Sequence, residues 1–97
     1  MTKPVAIVTG GSRGVGEAVS LLLAKKGWNI ALTCSSSVEA AKKVSKECET
    51  LGAEVIVIKA DVSHEDSCTK TVKETINKWG RLDSLINNAG TTKFNAH

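Results

Sequence analysis

The sequence predicts an α/β fold: a doubly wound parallel sheet of the Rossmann type with helices on both faces. Short apolar runs at 5–8, 28–34, 55–58 and 82–87 alternate with stretches of helical periodicity. The runs are apolar almost throughout, as strands covered on both faces are, so the sheet is parallel. The connections are short, and strand–helix–strand crossovers of this kind are right-handed. The expected order is β-α-β-α-β-α-β, the N-terminal portion of one Rossmann domain over residues 1–97.

Val5-Ala6-Ile7-Val8 is the first strand. Helical spacing follows from Gly14 to Lys26, with Val15, Ala18, Val19 and Leu22 as the expected core-facing stripe. Lys25 and Lys26 suit the negative end of that helix, and Gly27 supplies the left-handed residue after it. Residues 28–34 form the second strand. Ser36 and Glu39 make a capping box for the next helix, whose stripe is Val38, Ala41, Val44, Cys48 and Leu51. Val55-Ile56-Val57-Ile58 is the third strand. Ser63 is the expected N-cap of the third helix, which carries acids in its first turn and an apolar face of Cys68, Val72, Ile76 and Trp79. Gly80 ends it, and residues 82–87 form the fourth strand.

Composition excludes several classes of function. With 41% hydrophobic and 24% charged residues, the chain is an ordinary globular protein. Its 13 Lys and Arg are interspersed with 10 Asp and Glu, so no dense basic face for nucleic acid is expected. Trp28, Trp79 and Phe94 are too few for a base-stacking platform. No apolar run reaches membrane-span length and Met1-Thr2-Lys3-Pro4 opens no signal peptide, so the expected compartment is the cytoplasm, without a membrane partner. Cys34, Cys48 and Cys68 form no CxxC pair and no metal set with His64 and His97; reduced thiols and no metal are expected.

The chemistry-bearing stretch is Thr9-Gly10-Gly11-Ser12-Arg13-Gly14-Val15-Gly16, between a strand and a helix. A glycine-rich turn there presents bare backbone N–H groups, and the helix start adds roughly half a positive charge. The turn is therefore a candidate phosphate cradle, although such turns also occur without a ligand. Gly10 serves the tight turn, the backbone at Gly14 and Val15 meets a pyrophosphate, and Gly16 lets the helix pack closely.

Two further motifs stand at strand ends: Asp61-Val62 after the third strand, and Asn87-Asn88-Ala89-Gly90 after the fourth. With the TGxxxGxG spacing of the turn, they make the chain resemble the short-chain dehydrogenase/reductase family from about Lys3 to Gly90. Within that family the turn is most similar to 3-oxoacyl-carrier-protein reductase-type ketoreductases. The resemblance implies that Asp61 accepts a hydrogen bond from the adenine amino group, with the Val62 backbone beside it. It also implies that Asn88, Ala89 and Gly90 wall the adenosine ribose toward the nicotinamide. Asp61 has the alternative of capping the next turn, and Asn87 that of tying strands together.

A site for NAD places an acid at the end of the second strand, about 20 residues past the glycine turn. Here that place reads Thr33-Cys34-Ser35-Ser36-Ser37, and no acid occurs between Glu17 and Glu39. Hydroxyls at Ser35 and Ser36 and the planar fork of Arg13 suit a 2′-phosphate, which predicts NADP(H). The structural alternatives are a solvated Arg13 and a Ser36 that only caps its helix.

The family's reaction is hydride transfer between the nicotinamide and a carbonyl or alcohol substrate. It uses a Tyr with a Lys four residues on, and a Ser. The chain contains no tyrosine, so no catalytic residue is assigned. A fourth strand with an unpaired edge is also an unlikely end for a complete sheet. The expectation is the N-terminal part of a longer enzyme, for which the resemblance implies a homo-oligomer, a dimer or tetramer. The alternative is a non-catalytic nucleotide-binding module.

Overall fold

The computed structural model describes residues 3–10, 14–35, 38–61 and 64–88. Four strands, β1 (Val5–Thr9), β2 (Asn29–Cys34), β3 (Val55–Lys59) and β4 (Ser84–Asn87), alternate with α1 (Gly14–Lys25), α2 (Val38–Thr50) and α3 (Glu65–Trp79). All pairings are parallel, in the order β3-β2-β1-β4. The expected architecture is therefore present. The chain steps outward from β1 to β3, then returns to place β4 on the other flank of β1. Strand order reverses between β1 and β4, which is where an open sheet of this type has its crevice.

Side-chain alternation splits the core into two layers. Val8, Ile30 and Leu32 pack with Ala24 of α1 and with Val44 and Cys48 of α2. Ile7, Ala31 and Ile58 point the other way, against Trp79 and Leu82. Every residue of β1 and β2 is buried, as expected for strands covered on both faces.

The helix faces differ from the apolar-stripe expectation. In α1 the buried residues are Gly16, Ser20 and Ala24, whereas Val15 is 68% and Leu22 53% exposed and Ala18 is exposed too. In α3 they are Thr71 and Thr75, while of the expected stripe Val72 and Ile76 are exposed and Cys68 and Trp79 half-buried. The reason is packing distance. Small residues at i, i+4 and i+8 let a helix lie close to the sheet. The buried hydroxyls need no outside partner: Ser20 donates to the Gly16 carbonyl at 2.8 Å and Thr75 to Thr71 at 2.7 Å. The α2 stripe holds at Ala41, Val44 and Cys48, while Leu51 lies beyond the helix and is exposed. The N-cap of α3 is His64 rather than Ser63, with extended backbone and no side-chain cap bond. Ser63 and Ser36 lie outside the described residues.

A clamp at the opposite end of the sheet from the glycine turn sets the β1–β4 register. Asp83 accepts the Val5 N–H at 2.8 Å through one carboxylate oxygen and donates its own N–H to the Val5 carbonyl. Arg81 forks onto both carboxylate oxygens at 2.8 and 2.7 Å. That guanidinium first, and the Val5 amide second, hold the Asp83 carboxyl below the usual carboxylate range. A carboxyl depressed in the folded state stabilises the fold above its unfolded value and ceases to as pH falls through its folded value. Acid weakening of the clamp is therefore expected from about pH 4 downward. Urea midpoints should show Asp83→Asn less stable than the parent at neutral pH, with the difference narrowing in acid; parallel curves would contradict the clamp.

Candidate functional site

The crevice at the strand-order reversal is built from the C-terminal ends of β1 and β4. Thr9 pairs in register with Asn87, and its hydroxyl ties the two ends together. It donates to Asn87 Oδ1 at 3.0 Å and accepts the backbone N–H of Asn88 at 2.7 Å. Asn87 thus ties strands together. From the other flank, the Thr33 hydroxyl of β2 accepts the Gly10 N–H at 3.3 Å. Thr9 opens the TGxxxGxG turn, whereas Thr33 belongs to no motif and is signalled only as a Thr near the end of a buried apolar run. The contacts of both hydroxyls depend on strand register.

Gly10 and Gly14 have φ of 63° and 53°, a left-handed conformation that side chains other than glycine's adopt at a cost. A side chain at Gly14 would begin in open space, so its conformation, not crowding, selects glycine. Gly16 is the reverse case. A Cβ there would run into the Gly10 carbonyl oxygen and lie 2.6 Å from Asn88 Nδ2. The start of α1 is pressed against the turn and against the end of β4, which keeps the positive helix end at the crevice. Gly10, Gly16 and Asn88 thus meet closely at the crevice, a candidate place for an anion, with no room for bulk at Gly16. Val15 is exposed on the first turn of the same helix.

Asp61, just past β3, is exposed, and its backbone carbonyl accepts the His64 N–H at 3.0 Å, so the main chain closes the turn. Its carboxylate lies 3.5 Å from His64 Nε2. Ser35 is exposed immediately after β2. Gly10, Gly14, Val15, Gly16, Ser35, Asp61 and Asn88 therefore all lie at the C-terminal ends of the strands or on the first turn of α1. Ser12, Arg13, Ser36, Val62, Ala89 and Gly90 lie outside the described residues. Cys48 is inert: burial first, then Glu47 and Glu49, push its thiol up to about 11, and it donates to the Ser20 carbonyl.

A parallel sheet between helices, with its strand order reversing beside a glycine turn, defines an α/β protein of the Rossmann type. The family model for short chain dehydrogenases matches residues 4–97, and the chain belongs to that family. It is 41% identical over 95 residues to the 3-oxoacyl-[acyl-carrier-protein] reductase of Staphylococcus aureus, covering 98% of this chain and 38% of that protein. Among solved structures it is similar to a short-chain dehydrogenase/reductase of Serratia marcescens, with a TM-score of 0.87 and 38% identity, over 93% of this chain and 37% of the other. The acetoin dehydrogenase YohF of Salmonella typhimurium matches with a TM-score of 0.83 and 37% identity, over 94% of this chain and 37% of its own. The chain thus spans well under half the length of these relatives. Among the described residues, no helix is long and apolar enough to cross a membrane.

Proposed function

We propose that residues 1–97 are the N-terminal dinucleotide-binding part of an NADP(H)-dependent oxidoreductase that interconverts a carbonyl and an alcohol. The observation that carries the reading is the close approach of Gly16 to the Gly10 carbonyl and to Asn88, where strand order reverses. The backbone at Gly14 and Val15 would hold the pyrophosphate, with Ser12 in the turn. Asp61 would accept from the adenine amino group beside the Val62 backbone, and Asn88, Ala89 and Gly90 would line the ribose. Arg13, Ser35 and Ser36 would receive the 2′-phosphate, for which the acid-free stretch between Glu17 and Glu39 speaks. The bound nicotinamide would supply a hydride to a small-molecule carbonyl. The name of the Staphylococcus aureus relative favours a 3-oxoacyl thioester as the carbonyl.

The 97 residues hold no tyrosine, so the proton-transferring group belongs to further chain. The exposed Val15 and Leu22 on α1, Val72 and Ile76 on α3, and Leu85 on β4 are surfaces for that chain to cover. The working protein is proposed to be a cytoplasmic homo-oligomer. Loss of NADPH absorbance with a 3-oxoacyl thioester is the test. The 97-residue chain should bind NADPH without turnover, and a longer form carrying it should turn over. Turnover by a mass-verified 97-residue chain would show that the chemistry resides within it. Binding without turnover by both forms would favour a non-catalytic nucleotide-binding module.

A further inference from the structure

The end of β2 holds one more cation than the motifs reveal. Lys59, the last residue of β3, is the register partner of Cys34, the last residue of β2, and the Ala60 N–H donates to the Cys34 carbonyl at 2.9 Å. Alternation along both strands fixes the side. Leu32 and Val57 pack in the layer of α1 and α2, so Cys34 and Lys59, two residues further on, share that face. It is the face that α2, beginning at Val38, covers with Val44 and Cys48.

Adjacent parallel strands lie about 4.8 Å apart. The Lys59 stem is long enough to carry its ammonium across that spacing to the Ser35 side. Its charge acts at Cys34: burial raises that thiol, and the positive Lys59 opposes the rise. Among the described residues, Lys59 has no carboxylate partner. It is exposed, and no acid occurs between Glu17 and Glu39.

We infer that Lys59 is a specificity-determining residue whose ammonium receives the 2′-phosphate of NADP(H) across the end of β2, opposite Cys34 and Ser35. The inference rests on the cofactor reading above and adds a residue from a third strand to it. The competing role is a lysine that only blunts the exposed edge of β3. An edge lysine would not distinguish two cofactors that differ by a single phosphate.

The test is titration of the purified protein with NADPH and, separately, NADH, for the parent, Lys59→Gln and Lys59→Arg, at low and at raised salt. Lys59→Gln is expected to weaken NADPH about fivefold, the size of one partly exposed charge pair. NADH should be unchanged, Lys59→Arg should keep the NADPH preference, and the difference should shrink with salt. A parent that prefers NADPH with a ratio unmoved by Lys59→Gln overturns the role of Lys59 and leaves the cofactor reading standing. A parent with no preference overturns the cofactor reading and this inference together. Equal weakening of both cofactors assigns Lys59 a structural role and overturns the inference alone.

Discussion

Replacing Gly16 with alanine is expected to cost about 2 kcal/mol of stability and at least about tenfold in nucleotide affinity. Helix propensity pulls the other way, because alanine is better than glycine inside a helix by about 1 kcal/mol. Sterics decide the sign. The added methyl meets the Gly10 carbonyl oxygen, and that oxygen belongs to the backbone of the turn itself. Asn88 can swing its amide away; Gly10 can yield only by re-aiming the cradle. Thermal unfolding should fall by roughly 10 °C for a chain of this size. Val15→Ala is the control: its side chain is 68% exposed, so a change within about 0.5 kcal/mol is expected. An alanine at Gly16 as stable as the parent would mean that α1 does not press on the turn.

Ser35→Asp is expected to weaken NADPH by about 100-fold, the size of a direct like-charge clash of roughly 3 kcal/mol. NADH should bind as before or better, since an acid at this strand end is the usual acceptor for a ribose 2′-OH. Ser35 is exposed beyond the last residue of β2, so its replacement should leave unfolding unchanged within about 0.5 kcal/mol. The readout is the ratio of the two dissociation constants. If both cofactors weaken equally, the 2′-phosphate does not lie at Ser35.

The strands were legible because burial on both faces writes itself as continuous apolar runs. Val5–Val8 and Val55–Ile58 needed no further signal, and parallel order followed from the crossovers. The face of α2 was legible at Ala41, Val44 and Cys48, but those of α1 and α3 were not. Apolar periodicity selects Val15, Leu22, Val72 and Ile76, yet the sheet is met by Gly16, Ser20, Ala24, Thr71 and Thr75. Close packing rewards small volume there, and a hydroxyl that bonds back to its own helix is as easily buried as a methyl. The N-cap of α3 is His64, one residue past the serine that the sequence signal selects, because residue type marks a cap only to within a residue or two of where the helical backbone begins.

The site divides along the same line. Motifs at strand ends were readable because each is local: the glycine turn, Asp61, and Asn87 with Asn88. What joins them is not local. The Thr9 hydroxyl meets Asn88 across 79 residues of sequence, and Thr33 meets Gly10 across 23. Lys59 reaches the end of β2 only through the pairing of Cys34 with β3. Register supplies those contacts, and the Asp83 clamp at the far end of β1 and β4 helps to set it.

Backbone amide shifts recorded during an NADPH titration are the decisive test of the proposed dinucleotide site at the C-terminal strand ends. The largest changes are expected at Gly10, Gly14, Val15, Gly16, Ser35, Asp61 and Asn88. Amides at the opposite end of the sheet, at Gly27, Gly52 and Gly80, should stay where they are. Shifts concentrated at that opposite end, or no shifts at saturating NADPH, would contradict it.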